Sequence, residues 1–321
     1  MRCGTILVPT DFSENSLIAL RFAAGFAKAF NSRIILLHVA EMPPEIVDLP
    51  DSPPSQARLL SGRRVLERGR AELDRARLQI PELEAVPVEV QMRAGAAAPE
   101  ILLEAEEKSA ALIILATHGR SGLSRLVLGS VTERIVRGAP CPVLSIRPPH
   151  LGPTAGGATR ASDPVDVEQD IRRLLLPTDF SRASLTALDA AGELVERLHA
   201  TLDLIYVMED LANFPLISWE HAPGVTPDEF YANSARRARQ RLCRLLKEDY
   251  PSVRVKNIFI GHGHPVMEVV NRAEEGQYDL VVLSAHGRSG VKRALLGSVA
   301  EKIVRKAPCA VLAVRGTTGA A

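Results

Sequence analysis

Leu112-Ile113-Ile114-Leu115-Ala116-Thr117-His118-Gly119-Arg120-Ser121-Gly122 is an apolar run of strand length that breaks into a glycine-bearing turn. It returns as Leu280-Val281-Val282-Leu283-Ser284-Ala285-His286-Gly287-Arg288-Ser289-Gly290, 168 residues later. The same offset relates Pro9-Thr10-Asp11-Phe12-Ser13 to Pro177–Ser181, Leu128-Gly129-Ser130-Val131 to Leu296–Val299, and Ala139-Pro140-Cys141 to Ala307–Cys309. Between Leu112–Pro148 and Leu280–Gly316, 22 of 37 positions are identical without a gap. A period this long is the size of a whole domain and too long for a solenoid repeat, so the chain reads as two homologous domains in tandem.

The length of 321 residues agrees with two domains. The expected boundaries are a first domain over 1–148, a linker over 149–170, a second domain over 171–316 and a disordered tail over 317–321. The linker is read from Gly152-Pro153, Gly156-Gly157 and a polar stretch without apolar periodicity. A second irregular stretch, Glu41 to Ser55, carries five prolines, and its counterpart Glu209 to Asp228 differs in sequence and contains Trp219. Differences between the halves are expected to start there.

Within a half, strands and helices alternate. Thr5–Val8, Arg33–Val39, Val86–Met92, Ala111–Ala116 and Pro142–Arg147 read as strands. Ser16–Phe30, Ala57–Leu78, Pro99–Lys108 and Val131–Arg137 read as helices, the third with a proline suited to a first turn. Alternation with nearly continuous apolar strands means a parallel sheet covered on both faces. Each half is therefore expected to be a five-stranded, doubly wound α/β domain.

Composition narrows the function. Basic residues number 39 and acidic 38, a net charge of +1, which argues against a molecule-wide nucleic-acid surface. At 4% aromatic residues, stacking platforms for single strands are not expected either. Hydrophobic residues at 46% and charged residues at 24% are ordinary globular values. Cys3, Cys141, Cys243 and Cys309 form no C-x-x-C pair and read as free thiols in a reducing cytoplasm, with Cys141 and Cys309 as small core residues. The apolar runs are too short to span a bilayer and no signal region opens the chain, so a cytoplasmic protein without membrane contact is expected.

Ligands of such sheets bind beyond the carboxyl ends of the strands, where the strand order reverses. Three features fall in those loops: Asp11 after the first strand, Val39 at the end of the second, and the glycine loop after the fourth. Glycine lets peptide N–H groups come close to an anion, and the helix opening at Ser130 has unpaired N–H groups and a favourable dipole. Arg120, Arg125, Arg288, Lys292 and Arg293 would add positive potential. The competing reading is structural. Ser130-Val131-Thr132-Glu133 and Ser298-Val299-Ala300-Glu301 also fit a capping box, with serine as N-cap and glutamate three residues on. The loop alone does not decide between them.

The combination is more specific. A strand ending in P-T-D-F-S, a strand ending in L-L-H-V, T-H-G-R-S-G with nine residues to L-G-S-V, and a terminal A-P-C-P-V-L strand closely resemble the universal stress protein family. The resemblance covers Gly4–Arg147 and Ile171–Arg315 and is to members with two such domains on one chain. It implies strand order 3-2-1-4-5 and an adenine nucleotide, ATP, ADP or AMP, with Mg²⁺ as its possible companion. Asp11 and the Val39 backbone would hold the adenosine end, and Gly119, Gly129, Ser130 and Val131 the phosphates. Pro9, Thr10, Ala116, His118 and Arg120 complete that set. The second set is Pro177, Thr178, Asp179, Val207, Ser284, His286, Gly287, Arg288, Gly297, Ser298 and Val299. One departure stands out: the first glycine of the family's G-x-x-G is Ala116 here and Ser284 in the repeat, and a positive φ there would strain Ala116.

The expected role is a stress-response regulatory or protective module. A nucleotide-independent interaction module and a slow ATP hydrolase are the alternatives. The chain has no P-loop, no dinucleotide G-x-G-x-x-G, no G-x-S-x-G elbow and no H-E-x-x-H helix. His118 and His286 read either as acid–base groups near a phosphate or as loop histidines bonded to backbone. His262 and His264 are two metal-ligand types at the end of a strand, short of the three or four that zinc takes, so no metal site is assigned. The helix Ser234–Lys247 carries Arg236, Arg237, Arg239, Arg241 and Arg244, a solvated face or a surface for an anionic partner. The apolar last strands, Val143–Ile146 and Val311–Val314, would cover each other as an intramolecular pseudo-dimer in the manner of single-domain relatives, and a homodimer is a further possibility.

Overall fold

The computed structural model describes residues 4–41, 56–117, 128–147, 165–209, 226–285 and 296–315. They fall into two compact units, 1–170 and 171–321. The expected tail and most of the expected linker lie outside the described residues.

The first unit runs β1 (Thr5–Pro9), α1 (Glu14–Ala29), β2 (Arg33–Ala40), α2 (Gln56–Leu78), a 3₁₀ turn (Pro81–Ala85), β3 (Val88–Ala94), α3 (Ala97–Glu107), β4 (Leu112–Ala116), α4 (Ser130–Gly138), β5 (Val143–Ile146) and α5 (Val167–Asp170). The strands pair in parallel in the order β3-β2-β1-β4-β5. In register, Leu7 stands between Ile35 of β2 and Ile113 of β4. Leu7, Ile34–Leu37 and Leu112–Ile114 are almost completely removed from solvent, as strands with helices packed over them must be. β3 is different: Val88-Glu89-Val90-Gln91-Met92-Arg93 alternates and stays half-buried, as an outer strand does.

The helices follow from local signals. Ser13 caps α1, its hydroxyl accepting the Ser16 N–H, and the alanine-rich face of α1 packs on β1 and β4. Arg21 on that helix is buried, and its guanidinium grips the Glu82 carboxylate at 2.6 and 2.8 Å and the Gln79 carbonyl at 3.1 Å. The 3₁₀ turn that supplies Glu82 was not expected from sequence. Residues 167–170, placed by sequence in the linker, form a helical turn instead. Val167 is buried against α1 at Gly25, where an added Cβ would meet the valine at 2.8 Å.

The second unit repeats the plan with β6 (Arg173–Thr178), α6 (Arg182–Leu198), β7 (Thr201–Met208), α7 (Pro227–Glu248), β8 (Val255–His262), α8 (Pro265–Glu275), β9 (Leu280–Ser284), α9 (Ser298–Lys306) and β10 (Ala310–Val314). Its parallel order is β8-β7-β6-β9-β10. Both units therefore show the expected 3-2-1-4-5 order, with the chain reversing direction across the sheet between β1 and β4 and between β6 and β9. The second unit has its own buried polar knot. Asp203 on β7 accepts the Tyr278 hydroxyl at 2.6 Å and the Asn257 amide at 2.9 Å, where the first unit has Ile35.

Backbone strain is repeated as well. Among the described residues, six other than glycine have positive φ, and they form three pairs at the repeat offset: Phe12 and Phe180, Asn31 and His199, Ser109 and Gln277. The last two pairs follow the C-termini of helices, a common place for a left-handed residue. Phe12 and Phe180, at φ of 63° and 62°, lie in the loops after β1 and β6. Among the described residues no helix is long and apolar enough to cross a membrane.

Candidate functional site

In each unit a cleft opens where the strand order reverses. The first has a volume of about 1030 Å³ and the second about 740 Å³, each large enough for a nucleotide.

One side of each cleft is built by the P-T-D-F-S turn. Thr10 Oγ1 accepts the Phe12 N–H at 3.0 Å and shares a hydrogen bond with Ser16 Oγ at 3.0 Å. Asp11 Oδ1 accepts both the Ser13 N–H at 3.0 Å and the Ser13 hydroxyl at 2.6 Å. The turn thus fixes the orientation of the carboxylate, and the left-handed backbone at Phe12 turns the chain from β1 into α1. In the second unit Asp179 accepts the Ser181 N–H at 2.9 Å and Thr178 pairs with Ser184 at 3.1 Å.

The other side is the start of α4 and of α9. The N-caps are Gly129 and Gly297, each at extended backbone, and among the described residues no side chain caps either helix. The expected capping boxes are therefore not formed: Ser130 and Ser298 are first helical residues, and Glu133 and Glu301 pair forward with Arg137 and Arg305 at 3.0 and 3.2 Å. The Gly129 and Gly297 N–H groups are themselves used, donating to the Thr117 and Ala285 carbonyls at 2.9 and 2.8 Å. What remains is the first turn proper. The N–H groups of Ser130, Val131 and Thr132 have no carbonyl within the helix to donate to, nor have those of Ser298, Val299 and Ala300. Together with the helix dipole they make each helix start a place for negative charge. Thr132 Oγ1 donates to the Ala116 carbonyl at 3.0 Å and ties this helix start to the end of β4, a bond that Ala300 cannot make in the repeat.

Every expected site residue within the described part lines its cleft. Pro9, Thr10, Asp11, Val39, Ala116, Gly129, Ser130 and Val131 line the first. Pro177, Thr178, Asp179, Val207, Ser284, Gly297, Ser298 and Val299 line the second. His118, Gly119, Arg120, His286, Gly287 and Arg288 lie outside the described residues. Ala116 and Ser284 end their strands without positive φ, so the feared strain at the replaced glycine is absent.

Sequence reading missed several lining residues. His38 lines the first cleft, and its Nδ1–H donates to the Thr10 carbonyl at 2.8 Å while its ring lies 4.4 Å from that of Phe12. At the matching place in the second cleft stands Tyr206, 4.8 Å from Phe180. Arg68 and Glu72 from α2, and Arg237 and Arg241 from α7, complete the walls. The signal available was the helical spacing of these pairs, four residues in each case, but which face of α2 and α7 turns to the cleft is a tertiary matter.

His264 and His262 each have a partner of their own. His264 Nδ1 accepts the Val266 N–H as the N-cap of α8, and His262 packs on Tyr231 at 3.9 Å. Among the described residues no group of three or more metal-ligating side chains is assembled. Cys141 and Cys309 are buried as expected, and Cys243 is exposed. The Tyr278 hydroxyl and the Asp279 carboxyl are pushed above their ordinary ranges, chiefly by burial, at the opposite end of the strands where Asp279 accepts the Arg172 and Arg173 N–H groups.

Comparison with known proteins bears on this geometry. The model of the universal stress protein family matches the chain twice, over residues 3–147 and 170–315. The chain belongs to the universal stress protein family. A universal stress protein of Mycolicibacterium smegmatis is 29% identical over 97% of this chain and 96% of its own length, so the tandem arrangement is shared. A universal stress protein of Methanocaldococcus jannaschii is 35% identical over 45% of this chain and 82% of its own. In structure, a universal stress protein from Archaeoglobus fulgidus aligns over 98% of this chain and 97% of its own with a TM-score of 0.59 and 21% identity, a likeness of fold.

Proposed function

We propose that this tandem universal stress protein binds an adenine nucleotide in the cleft of each half and acts as a cytoplasmic regulatory or protective module. One observation carries the reading: in both halves a turn-locked aspartate and a helix start with a glycine N-cap line the same cleft at the reversal of strand order. The aspartate accepts hydrogen bonds and repels phosphate, so it suits ribose hydroxyls or a base amine. The first-turn N–H groups of α4 and α9 suit phosphate oxygens. Any Mg²⁺ would arrive with those phosphates.

The cleft supplies fixed donors and a positioned carboxylate, which select and hold a ligand. The reading of a module that has lost its ligand is less favoured, because the Ala116 and Ser284 side chains line the clefts without filling them.

Equilibrium titration of the full chain with ATP and AMP tests the proposal, with Gly129→Asp and Gly297→Asp placing a negative side chain at each helix start. Two binding events are expected, one lost in each variant. No binding of either nucleotide at millimolar concentration would overturn it.

A further inference from the structure

The two clefts share the residues on which the proposed nucleotide reading rests, yet they differ along the wall formed by the second helix of each unit. In the first cleft α2 presents Arg68 and, one turn on, Glu72. In the second, α7 presents Arg237 and, one turn on, Arg241. An acid is thus exchanged for a base at the same step along the helix. Among the described residues, the charged groups lining the first cleft are the carboxylates of Asp11, Glu41 and Glu72 against the guanidinium of Arg68. Those among the described residues that line the second are Asp179 and Glu209 against Arg237 and Arg241. Glu72 is held in place by Arg75 at 3.0 Å, a solvent-exposed pair that offsets its charge only in part.

The apolar contribution differs in the same direction. Arg241 lies over the Phe180 ring at 4.3 Å from its centroid, and the Tyr206 ring packs against the same phenylalanine at 4.8 Å between centroids. Phe230 and Tyr231, from the first turns of α7, extend the aromatic wall. The first cleft has Phe12 with His38 and no aromatic residue from α2. A planar base gains by stacking on aromatic rings and on a guanidinium face. A phosphate chain gains from the second arginine and loses near Glu72.

We infer that the clefts are specialised: the second is the tight site for a polyanionic purine nucleotide, and the first takes the less charged form, a nucleoside or monophosphate, in preference to the triphosphate. This rests on the nucleotide reading above and adds a division of labour to it.

The test is titration with ATP and with adenosine of two full-length variants, Gly129→Asp, which leaves the second cleft, and Gly297→Asp, which leaves the first. ATP is expected to bind the second cleft at least about tenfold more tightly than the first, and to bind more tightly than adenosine at the second cleft but less tightly than adenosine at the first. Arg241→Glu should weaken ATP at the second cleft about tenfold with a smaller effect on adenosine, and Glu72→Arg should tighten ATP at the first. Both positions reach solvent, so these two charge changes leave the core untouched and stand as the test even where a glycine variant misfolds. Equal ATP affinities with no response to either charge change overturn the inference while the nucleotide reading survives. No binding in any variant or in the parent overturns both.

Discussion

The carbonyl oxygen of Thr117 accepts the Gly129 N–H at 2.9 Å and stands 3.1 Å from the point where a Cβ on residue 129 would lie. The backbone φ there is ordinary, so glycine is required by the close approach and not by a special conformation. The obstacle is backbone and cannot swing aside.

For Gly129→Ala the helix start must move by a few tenths of an ångström. Stability should fall by only about 1 kcal/mol. Nucleotide affinity of the first cleft should fall about tenfold, because donors aimed at a ligand tolerate little displacement. Calorimetric titration beside urea unfolding separates the two effects, and unchanged affinity would refute the role given to this contact.

Phe12 holds φ of 63°, a conformation that costs any residue with a side chain. Phe12→Gly should therefore be more stable than Phe12→Ala by about 1 kcal/mol, although glycine buries less. Urea midpoints of the two variants decide it. An alanine variant as stable as the glycine variant would mean that the turn relaxes.

Arg93 at the end of β3 binds Glu100, Glu104 and Glu107 at 2.7, 2.5 and 2.9 Å, and the Glu104 side chain is 3% exposed. Removing the arginine leaves that carboxylate buried without its cation. Arg93→Met should cost about 3–5 kcal/mol, and adding Glu104→Gln should recover part of the loss. A cost below about 1 kcal/mol in thermal unfolding would show that water replaces the guanidinium.

Asp279 gives a pH signature. Burial raises its carboxyl above the ordinary aspartate range, although the Arg172 and Arg173 N–H groups pull the other way. The folded state then holds the proton more tightly than the unfolded chain. Its contribution is present at low pH and is lost as pH rises through the folded value. Asp279→Asn keeps an acceptor oxygen and carries no charge. Its stability relative to the parent should rise from about pH 4 towards neutrality, and a difference that stays flat would remove the assignment.

Much of the site was legible because the loop chemistry is local and written twice. Pro9-Thr10-Asp11 and Gly129-Ser130-Val131 follow strands whose apolar character needs no partner to be recognised, and the fold places both at one cleft. The capping box at Ser130 was misread for a reason that sequence does not contain. Serine is a good N-cap, but Thr117 takes the Gly129 N–H and Thr132 binds the Ala116 carbonyl, and these partners move the helix start to Gly129. His38, Arg68, Glu72, Arg237 and Arg241 were missed as lining residues because a charged helix shows its solvent face and its cleft face alike.

The sequence by itself determined the tandem plan, the strand and helix order within each unit, and the loops that meet where the strand order reverses. Those properties follow from hydrophobic periodicity and from an exact repeat offset, both of which are local or self-referential. Only the tertiary structure decided where α4 and α9 begin and so which amides lack a carbonyl within their own helix, how Phe12 and Phe180 are turned, and that the wall facing one cleft carries Glu72 while the wall facing the other carries Arg241. These depend on contacts between segments far apart in the chain, whose energies are comparable to local propensities and outweigh them at a helix end.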